Sequence, residues 1–260
     1  MPGQPSDQRI LKKLIGFLHE GKTSPKFPGD LLLKIGKVFI GTPYLGGTLE
    51  TKKAESLVIN LGKLDCVTFV ENVVAIAWLI RSRKRSFGAF QRLLQKIRYR
   101  RGRLQGYPSR LHYFSEWIYD NQKKGILKDV TRKIGGKPLG KGLNFMTTHP
   151  DLYPSLKNAA YFRSMRSVEE RISRRSLFSI PKKALKQHED RIHDGDLIAI
   201  TTNTEGLDVQ HVGLAARVKN RIHLLHASKA EGRVGLSKET LYRYLMQSRT
   251  RSGIMVARLV

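Results

Sequence analysis

The amino-acid sequence predicts an α+β protein in which helices come first and an antiparallel sheet comes last. Two observations carry this prediction: apolar residues recur at helical spacing in the N-terminal part, and strand-like segments cluster near the C-terminus without alternating with helices. The chain shows no internal repeat and no low-complexity linker. We therefore expect the 260 residues, 1–260, to form a single domain, with residues 1–29 as an N-terminal helical extension.

The helical segments follow from the spacing of apolar residues. Ile10, Leu11, Leu14, Ile15 and Leu18 share one face of a helix over residues 8–20. Further helices are predicted at about 29–39, 66–80, 86–99 and 112–123, with one or two basic helices within 155–190. Residues 131–154 contain many Gly and Pro and read as irregular.

The strand segments are short and rich in β-branched and apolar residues. They are predicted at residues 55–61, 196–201, 208–218, 221–228 and 253–259. The last four are close neighbours along the chain, which favours antiparallel pairing.

The charge balance is strongly basic. Lys and Arg number 48 against 21 Asp and Glu, giving a net charge of +27. Such a field attracts polyanions of any kind, so a basic nucleic-acid-binding domain is one candidate function class. The sequence contains no recognised DNA- or RNA-binding signature, and we expect no specific nucleic-acid partner.

The sequence also bears on the compartment of the protein. No apolar run is long enough to span a membrane. The N-terminus, MPGQPSDQRILKK, lacks the apolar core of a signal peptide, so the protein is cytoplasmic or a leader has been removed. The single cysteine, Cys66, excludes an intramolecular disulfide but does not fix the compartment.

Cys66 is the first candidate for chemistry. It opens the apolar run CVTFVENVVAIAWLI, whose few polar residues form one narrow stripe, so this helix must be packed nearly all round. Asp65 is a good N-cap residue and would place Cys66 in the first helical turn. Free N–H groups there can stabilise a thiolate and the oxyanion of a tetrahedral intermediate. A small buried hydrophobic residue is the alternative.

His211 is the candidate general base, because a distant histidine is the expected partner of a catalytic cysteine. A base needs an orienting partner on its second ring nitrogen. On the next predicted strand, alternation places His226 on the inner face with Ile222 and Leu224, and His223 on the outer face. We choose His226 as the orienting residue.

A metal site is the competing interpretation of three histidines. The sequence has no CxxC and no HExxH, and no carboxylate lies at a fixed helical offset from a histidine pair. We therefore expect neither a metal ion nor an organic cofactor.

Five motifs resemble, in order, those of a known enzyme family. They are GTPYLGGTLE (41–50), LDCVTFVEN (64–72), YPSRLHYFSEW (107–117), GLDVQHVG (206–213) and LLHASK (224–229). The sequence is similar to the N-acetylmuramoyl-L-alanine amidase-like subfamily of the NlpC-type papain-like cysteine peptidases, which are peptidoglycan hydrolases. The resemblance runs from about residue 30 to the C-terminus.

The resemblance implies a papain-like, NlpC-type core, with the nucleophile helix packed on the C-terminal sheet. It implies Cys66 as nucleophile, His211 as base and His226 as the third catalytic residue, in agreement with the choices made from the residues. Tyr44 would lie beside the nucleophile and help to hold the oxyanion or the substrate carbonyl; a loop-packing aromatic is the alternative. Leu45 departs from the aromatic usual in the broader superfamily.

The resemblance also implies a substrate pocket. Ser109, Arg110 and His112 would shape it, with Arg110 binding a substrate carboxylate, and Asp208 is assigned to substrate binding as well. The alternative is structural, with Ser109 as a helix cap and Arg110 in an ion pair.

The implied activity is cleavage of the amide between N-acetylmuramic acid and L-alanine through a thioester. The alternative within the same chemistry is a stem-peptide endopeptidase that cuts between L-alanine and γ-D-glutamate. The expected partner is peptidoglycan or a muropeptide, and the protein is expected to be a monomer. The resemblance favours the periplasm or cell envelope, and a cytoplasmic location stays open.

Overall fold

An antiparallel sheet covered by helices forms the framework of the molecule. The structure is a computed structural model that describes residues 4–20, 27–50 and 54–260. Within these ranges the strands are β1 (Leu127–Asp129), β2 (Lys137–Pro138), β3 (Phe178–Pro181), β4 (Leu197–Thr202), β5 (Val209–Val218), β6 (Arg221–Ser228), β7 (Arg233–Thr240) and β8 (Arg251–Leu259). The predicted α+β class with an antiparallel C-terminal sheet is confirmed.

The sheet order is β2-β3-β8-β4-β5-β6-β7, and β1 pairs with β8 at one end. β5 therefore lies between β4 and β6, its neighbours before and after it in the chain. The register of β5 and β6 pairs Leu214 with Leu225 and Ala215 with Leu224. This pairing brings the histidines of the two strands into adjacent positions.

Among the described residues, five helices come before β1, three lie between β1 and β3, and the last lies between β7 and β8. Their bounds are α1 (Pro5–Glu20), α2 (Pro28–Val38), α3 (Cys66–Arg81), α4 (Phe87–Arg98), α5 (Phe114–Lys123), α6 (Thr131–Ile134), α7 (Phe145–Thr148), α8 (Ala159–Ser173) and α9 (Leu241–Met246). Residues 131–154, predicted as irregular, hold the two one-turn helices α6 and α7 between loops and short 3₁₀ turns.

Each face of the sheet has its own apolar core. Leu214, Leu225 and Ala227 join the core that includes buried residues of α1 to α4. Ile222 and Leu224 point to the opposite face of the sheet, where they pack with Leu241 and Leu245 of α9. The strict alternation along β6 therefore separates the two cores, as the period of a strand requires.

The helix α3 is central because it is buried on almost every side. Its residues from Thr68 to Ala77 are buried, and it packs against α2, α4, β5 and β6. The predicted polar stripe is matched by specific partners: Thr68 bonds Asp65, and Glu71 forms a buried salt bridge with Arg98 of α4 at 2.7 Å. A charged side chain is tolerated there because its partner is buried with it.

The prediction of a strand at residues 55–61 is wrong. No strand forms there, because backbone groups of this segment bond to side chains from elsewhere instead of to a neighbouring strand. Asp7 of α1 accepts the Leu61 N–H at 2.8 Å, Tyr99 donates to the Ser56 carbonyl at 3.0 Å, and Arg98 donates to the Val58 carbonyl. The apolar pattern reflects packing of an extended segment, not sheet pairing.

Four strands were not predicted from the sequence. β1, β2 and β3 have two to four residues each, which is too short for a clear pattern. β7 forms the edge of the sheet and is mostly polar, with only Val234 and Ser237 among its buried side chains. Among the described residues, no helix is both long and apolar enough to cross a membrane.

Candidate active site

Cys66 is the first residue of α3, as predicted. The carboxylate of Asp65 accepts the Thr68 N–H at 2.8 Å, and the Thr68 hydroxyl accepts the Asp65 N–H at 2.9 Å. This reciprocal pair satisfies two of the orphan donors at the helix start. The local sequence DCVT therefore fixes where α3 begins and where the thiol lies.

The Cys66 sulfur is surrounded by backbone N–H groups. Those of Cys66 and Val67, at the helix start, and of Val212 on β5 interact with it and favour the thiolate. Val212 follows His211 directly in the chain, so β5 meets the nucleophile helix at the candidate base. These donors are suited to stabilising negative charge that develops beside the sulfur.

The resting thiol is nevertheless protonated. Burial, reinforced by the negative charge of Asp65, raises the pKa of Cys66 to about 12 against the lowering effect of the N–H groups. The N–H groups at the helix start do lower the cysteine pKa, but they do not bring it below its ordinary value. Desolvation outweighs the helix dipole here, and the thiol needs a base that acts when substrate is present.

His211 and His226 form a hydrogen-bonded pair. Nε2 of His211 lies 2.6 Å from Nδ1 of His226, and the two rings meet edge to face with centroids 4.8 Å apart. Gly213, two residues beyond His211, makes this approach possible. A Cβ there would lie 2.9 Å from the His226 Cβ, so any side chain would push the strands apart.

The hydrogen bond leaves one useful tautomer. If Nε2 of His211 carries the proton and donates to His226, Nδ1 of His211 is a free acceptor. In the opposite arrangement Nδ1 of His211 is protonated and cannot act as a base. Catalysis by this pair thus requires His226 to present Nδ1 as the acceptor.

Tyr244 and Arg251 surround the histidine pair, and sequence reasoning missed both. The Tyr244 ring lies 5.6 Å from the His226 ring and 6.3 Å from the His211 ring, between centroids. The Arg251 guanidinium lies over Tyr244 at 3.7 Å from its centroid and donates to the Tyr244 carbonyl. Burial raises the pKa of Tyr244 and Arg251 counteracts this, while a thiolate at Cys66 would raise the pKa further, which ties the tyrosine to the nucleophile as well.

Both histidines are held neutral. Burial, followed by the neighbouring His226 and Arg251, lowers the pKa of His211 to about 3. Burial and then Arg251 lower the pKa of His226 to about 4. The structure thus places a neutral thiol at the start of α3 and a neutral histidine pair that includes His211, the residue before Val212 on β5.

His223 lies apart from this pair. Its Nδ1 interacts with the Ser237 carbonyl at 2.9 Å, on the side of β6 that faces β7. His226 is 2% exposed and turns toward His211. The predicted alternation of His223 and His226 along the strand is therefore confirmed.

Tyr44 lies close to the start of α3, in the region that the resemblance implies. Its backbone pairs with Leu64, two residues before Cys66, and its N–H donates to the Gly232 carbonyl at 2.7 Å. Burial raises the pKa of Tyr44, a thiolate at Cys66 would raise it further, and the charge of Asp65 adds to this. The phenol is thus a neutral donor next to the thiol.

Arg110 is buried among acceptors of the protein itself. It donates to the Leu49 carbonyl at 2.8 Å and to Glu50 at 2.5 Å, and it lies 3.6 Å from Glu55. Glu50 and Glu55 raise the pKa of Arg110 despite the lowering effect of its burial, so it is permanently charged. These contacts correspond to the structural ion pair that the sequence left as an alternative.

Ser109 and His112 flank Arg110 in different roles. The Ser109 hydroxyl donates to the Gly106 carbonyl at 2.6 Å and accepts the Gln105 N–H, so it fastens a turn and caps no helix. His112 interacts with the Tyr107 carbonyl through Nε2 at 2.9 Å. Burial and Arg110 lower its pKa well below the ordinary range, so His112 is neutral.

Asp208 connects β5 to α5. Its carboxylate accepts the Ser115 N–H at 2.7 Å and so caps the start of α5, while its other oxygen accepts the Val209 N–H. Burial raises the pKa of Asp208 against these hydrogen bonds. Its contacts are therefore those of a residue that positions the adjoining walls.

A cavity of about 200 Å³ lies next to the start of α3. The residues that line it include Asp65, Val67, Arg110, His112 and Tyr153. Arg110 and His112 thus reach the cavity, whereas Ser109 and Asp208 are absent from its lining among the described residues. Within those same residues, no three His, Cys, Asp or Glu side chains are grouped so as to hold a metal ion.

Comparison with known proteins identifies the family. The model of the AmiA-like family, described as N-acetylmuramoyl-L-alanine amidase-like, matches residues 34–254. The chain belongs to this family. It is therefore an amidase-like hydrolase, which makes the protein an enzyme by family membership. No match is found among curated proteins.

Solved structures agree with this assignment. An N-acetylmuramoyl-L-alanine amidase from Bacteroides uniformis is 39% identical with a TM-score of 0.84, covering 90% of this chain and 99% of that one. A protein from Bacteroides fragilis named as a xylanase is 42% identical with a TM-score of 0.80, covering 86% and 98%. A Legionella pneumophila protein, 23% identical with a TM-score of 0.71 over 98% and 95%, shares the fold.

Proposed function

We propose that this amidase-like enzyme cleaves the amide between N-acetylmuramic acid and L-alanine in peptidoglycan, with Cys66 as its nucleophile. The observation that carries the proposal is the His211–His226 pair, 2.6 Å apart, on the strand whose Val212 N–H interacts with the Cys66 sulfur. The papain-like, NlpC-type relationship and the catalytic roles of Cys66, His211 and His226 are parts of the same proposal.

In the first step, Nδ1 of His211 takes the thiol proton as the sulfur attacks the lactyl carbonyl carbon. The C–S bond forms and the carbonyl oxygen becomes an oxyanion, stabilised by backbone N–H groups at the start of α3. Tyr44, a neutral donor beside the thiol, adds a further hydrogen bond. His226 accepts the Nε2 proton of His211 in a hydrogen bond and steadies the imidazolium.

Collapse of the intermediate breaks the C–N bond. The imidazolium gives its proton to the leaving amine of L-alanine, and a muramoyl thioester remains on Cys66. Water then attacks the thioester with His211 as base, releasing the lactyl carboxylate and restoring the thiol. The low pKa of His211 makes its imidazolium a strong acid, which suits protonation of a poor leaving group.

The remaining candidate residues act in two ways in this proposal: two line the cavity, and two support its wall. Arg110 and His112 line the cavity next to the start of α3, and we assign them to contact with the substrate there. Ser109 and Asp208 support the cavity wall without lining it. Ser109 holds the turn before Arg110, and Asp208 holds the start of α5. Arg110 is already paired with Glu50. A substrate carboxylate would therefore bind Arg110 in addition to this internal partner.

Glycoside hydrolysis, which the name of the Bacteroides fragilis protein suggests, fits the site less well. It requires two available carboxyl groups that flank one bond. The carboxylates lining the cavity are committed elsewhere: Asp65 caps α3, Glu71 pairs with Arg98 and Glu50 pairs with Arg110. This commitment favours amide cleavage.

Mass analysis of products distinguishes the possible scissile bonds. The enzyme is incubated with a purified disaccharide-peptide muropeptide. We expect a free disaccharide that ends in a lactyl carboxylate, together with an intact stem peptide beginning with L-alanine. A disaccharide still carrying L-alanine would instead establish the endopeptidase reaction.

The family and this substrate together lead us to propose an envelope or periplasmic location.

A further inference from the structure

The cavity of about 200 Å³ next to the start of α3 has no unpaired charge on its described walls. Its carboxylates, Glu50, Asp65 and Glu71, are each bonded within the protein. Arg110 is in turn held by Glu50 and by the Leu49 carbonyl. The apolar part of the lining consists of Leu49, Val67, Leu111, Met146 and Leu207. Burying a further charge there would be costly, so these walls suit a neutral group of the substrate.

His112 lines this cavity and provides a hydrogen-bond acceptor. Its Nε2 lies 2.9 Å from the Tyr107 carbonyl oxygen, and a carbonyl cannot donate, so Nε2 carries the proton. Burial, followed by the charge of Arg110, keeps the pKa of His112 well below its ordinary value. The ring is therefore neutral, and Nδ1 is an unprotonated acceptor. Within the described ranges, no protein donor bonds Nδ1.

Tyr153 lines the same cavity and provides a hydrogen-bond donor. Burial, followed by the charges of nearby carboxylates, raises the pKa of its hydroxyl to about 12, so the hydroxyl stays protonated. Pro150 and Pro154 begin 3₁₀ turns on either side of Tyr153, which restricts the backbone around it. Its ring packs with apolar residues of α7 and α8. Among the described residues the hydroxyl has no hydrogen-bond partner, and it is thus available to a ligand.

A neutral acceptor and a neutral donor in one small cavity with apolar walls match a secondary amide. The amide N–H donates to Nδ1 of His112, and the amide oxygen accepts from the Tyr153 hydroxyl. The carbon groups on either side of the amide contact the apolar walls. A carboxylate has no proton for Nδ1, and an ammonium cannot accept from Tyr153. The lining therefore distinguishes a secondary amide from either charged group.

We propose that this cavity binds a secondary amide of the substrate other than the amide that is cut, with His112 as acceptor and Tyr153 as donor. This inference rests on the proposed function, in which the substrate lies against the start of α3. A muropeptide offers two sources of this chemistry: the N-acetyl groups of its sugars and the peptide bonds beyond L-alanine. Both side chains determine specificity, because a substrate without this amide leaves a donor and an acceptor unpaired.

Two substitutions remove these groups with little change in shape. Tyr153→Phe removes the hydroxyl and keeps the ring. His112→Gln retains an N–H donor for the Tyr107 carbonyl but lacks Nδ1. Tyr119→Phe makes the same hydroxyl deletion at an exposed position of α5, outside the cavity lining, and serves as the control. Circular dichroism confirms that each full-length variant is folded.

A set of substrates identifies the amide that the cavity binds. The first is a complete disaccharide-peptide. The second is its analogue with hydroxyl groups in place of the acetamido groups, and the third carries L-alanine alone in place of the stem peptide. KM and kcat are measured for each substrate with the wild-type protein and with each variant.

We expect Tyr153→Phe and His112→Gln each to raise KM for the complete disaccharide-peptide about tenfold, with little change in kcat and no change in the control. On the substrate that lacks the bound amide, the wild-type KM should already be higher, and the two substitutions should raise it no further. Loss of their effect on the hydroxyl analogue assigns the cavity to an N-acetyl group, and loss on the L-alanine substrate assigns it to a peptide bond. Equal rises in KM on every substrate, or an unchanged KM for the complete one, would overturn the proposal.

Binding separates this proposal from the proposed function. In a Cys66→Ala background, calorimetry measures the affinity for the same compounds without turnover, with and without Tyr153→Phe. We expect Tyr153→Phe to weaken binding of the complete compound about tenfold and to leave binding of the compound without the bound amide unchanged. Equal affinity of the two proteins for every compound would show that the cavity binds no amide. If the wild-type enzyme cuts no muropeptide, the proposed function fails, and the binding result still decides the cavity.

Discussion

The protonation states of Cys66 and His211 set the mechanism at the scale of single residues. Burial keeps the thiol protonated, with a pKa of about 12, and keeps His211 neutral, with a pKa of about 3. A preformed thiolate–imidazolium pair would need the reverse order of these pKa values. The resting enzyme therefore holds a neutral pair, and the proton moves when the carbonyl is attacked.

His226 should matter far more than His223 for the chemical step. His226 holds the Nε2 side of His211 at 2.6 Å, whereas His223 bonds a carbonyl near the sheet edge. We expect His226→Ala to lower kcat by about a hundredfold or more, and His223→Ala to change it only slightly. Steady-state kinetics of the two variants, with circular dichroism as a folding control, would refute this if the order were reversed.

Arg251 should set the acidic limb of the pH profile. A base works only when it is neutral, so kcat/KM falls as the pH drops through the pKa of His211. After burial and His226, the charge of Arg251 lowers this pKa. Arg251→Gln removes that charge and raises the pKa, so the loss of activity should begin at a higher pH.

Two control variants isolate the charge effect of Arg251. Arg251→Lys keeps the charge and should leave the acidic limb nearly in place. Arg249→Gln removes an exposed arginine two residues away and should not move the limb. The role assigned to Arg251 is wrong if Arg251→Gln is active and its acidic limb stays at the wild-type pH.

At the scale of elements, the α3–α4 contact depends on one buried ion pair. Glu71 and Arg98 are each 2% exposed in their side chains and lie 2.7 Å apart. Burial raises the pKa of Glu71, and Arg98 counteracts this. Removing either partner leaves the other charged and buried, which is a costly state.

We therefore expect Glu71→Ala to lower the free energy of unfolding by about 3–5 kcal/mol. The exposed pair Arg166 and Glu170 of α8 provides the control, because Glu170→Ala should cost about 0.5 kcal/mol or less. Urea unfolding followed by circular dichroism measures both values. Equal losses in the two variants would show that the buried pair contributes no more than a surface pair.

The first turns of α3 and α5 also hold the candidate site in place. Asp65 caps the start of α3 next to Cys66, and Asp208, directly before β5, accepts the Ser115 N–H in the first turn of α5. Both carboxylates bond backbone N–H groups of the helices that they start. The same contacts that fix helix boundaries therefore fix the spacing between nucleophile, base and cavity wall.

At the scale of the whole molecule, the features that could be predicted from the sequence are those that depend on the spacing of residues along helices and strands. The burial of α3, its start at Asp65 and the alternation of His223 and His226 follow from residue spacing, and the structure agrees. The strand proposed at 55–61 failed because apolar spacing cannot tell sheet pairing from an extended segment bonded by distant side chains.

Tyr244 and Arg251 escaped prediction for a different reason. They reach the histidine pair through the sheet order, in which α9 lies against one face and β8 is separated from β5 by β4 alone. No local pattern encodes such a contact. The strong signal for Cys66 and His211 was local, whereas the groups that tune their pKa values come together through the fold.

The high positive charge has a local meaning in the structure. Several arginines of the +27 total are engaged in internal contacts, as Arg98 with Glu71 and Arg258 with Asp196 show. Other cations lie exposed between the end of α4, α5 and α8, where Arg101, Arg103 and Lys123 form no salt bridge among the described residues. The charge is therefore distributed between holding the fold and covering the surface.

Replacement of Cys66 is the most direct test of the central claim. Because Cys66 is the only cysteine, thiol alkylation of the wild-type protein modifies one side chain with no competing site. Turnover of a disaccharide-peptide is measured by mass analysis for wild-type, alkylated and Cys66→Ala proteins, with circular dichroism to confirm folding. We predict that activity falls to trace levels in both modified proteins while the fold is retained. Substantial hydrolysis by folded Cys66→Ala protein would contradict a cysteine mechanism.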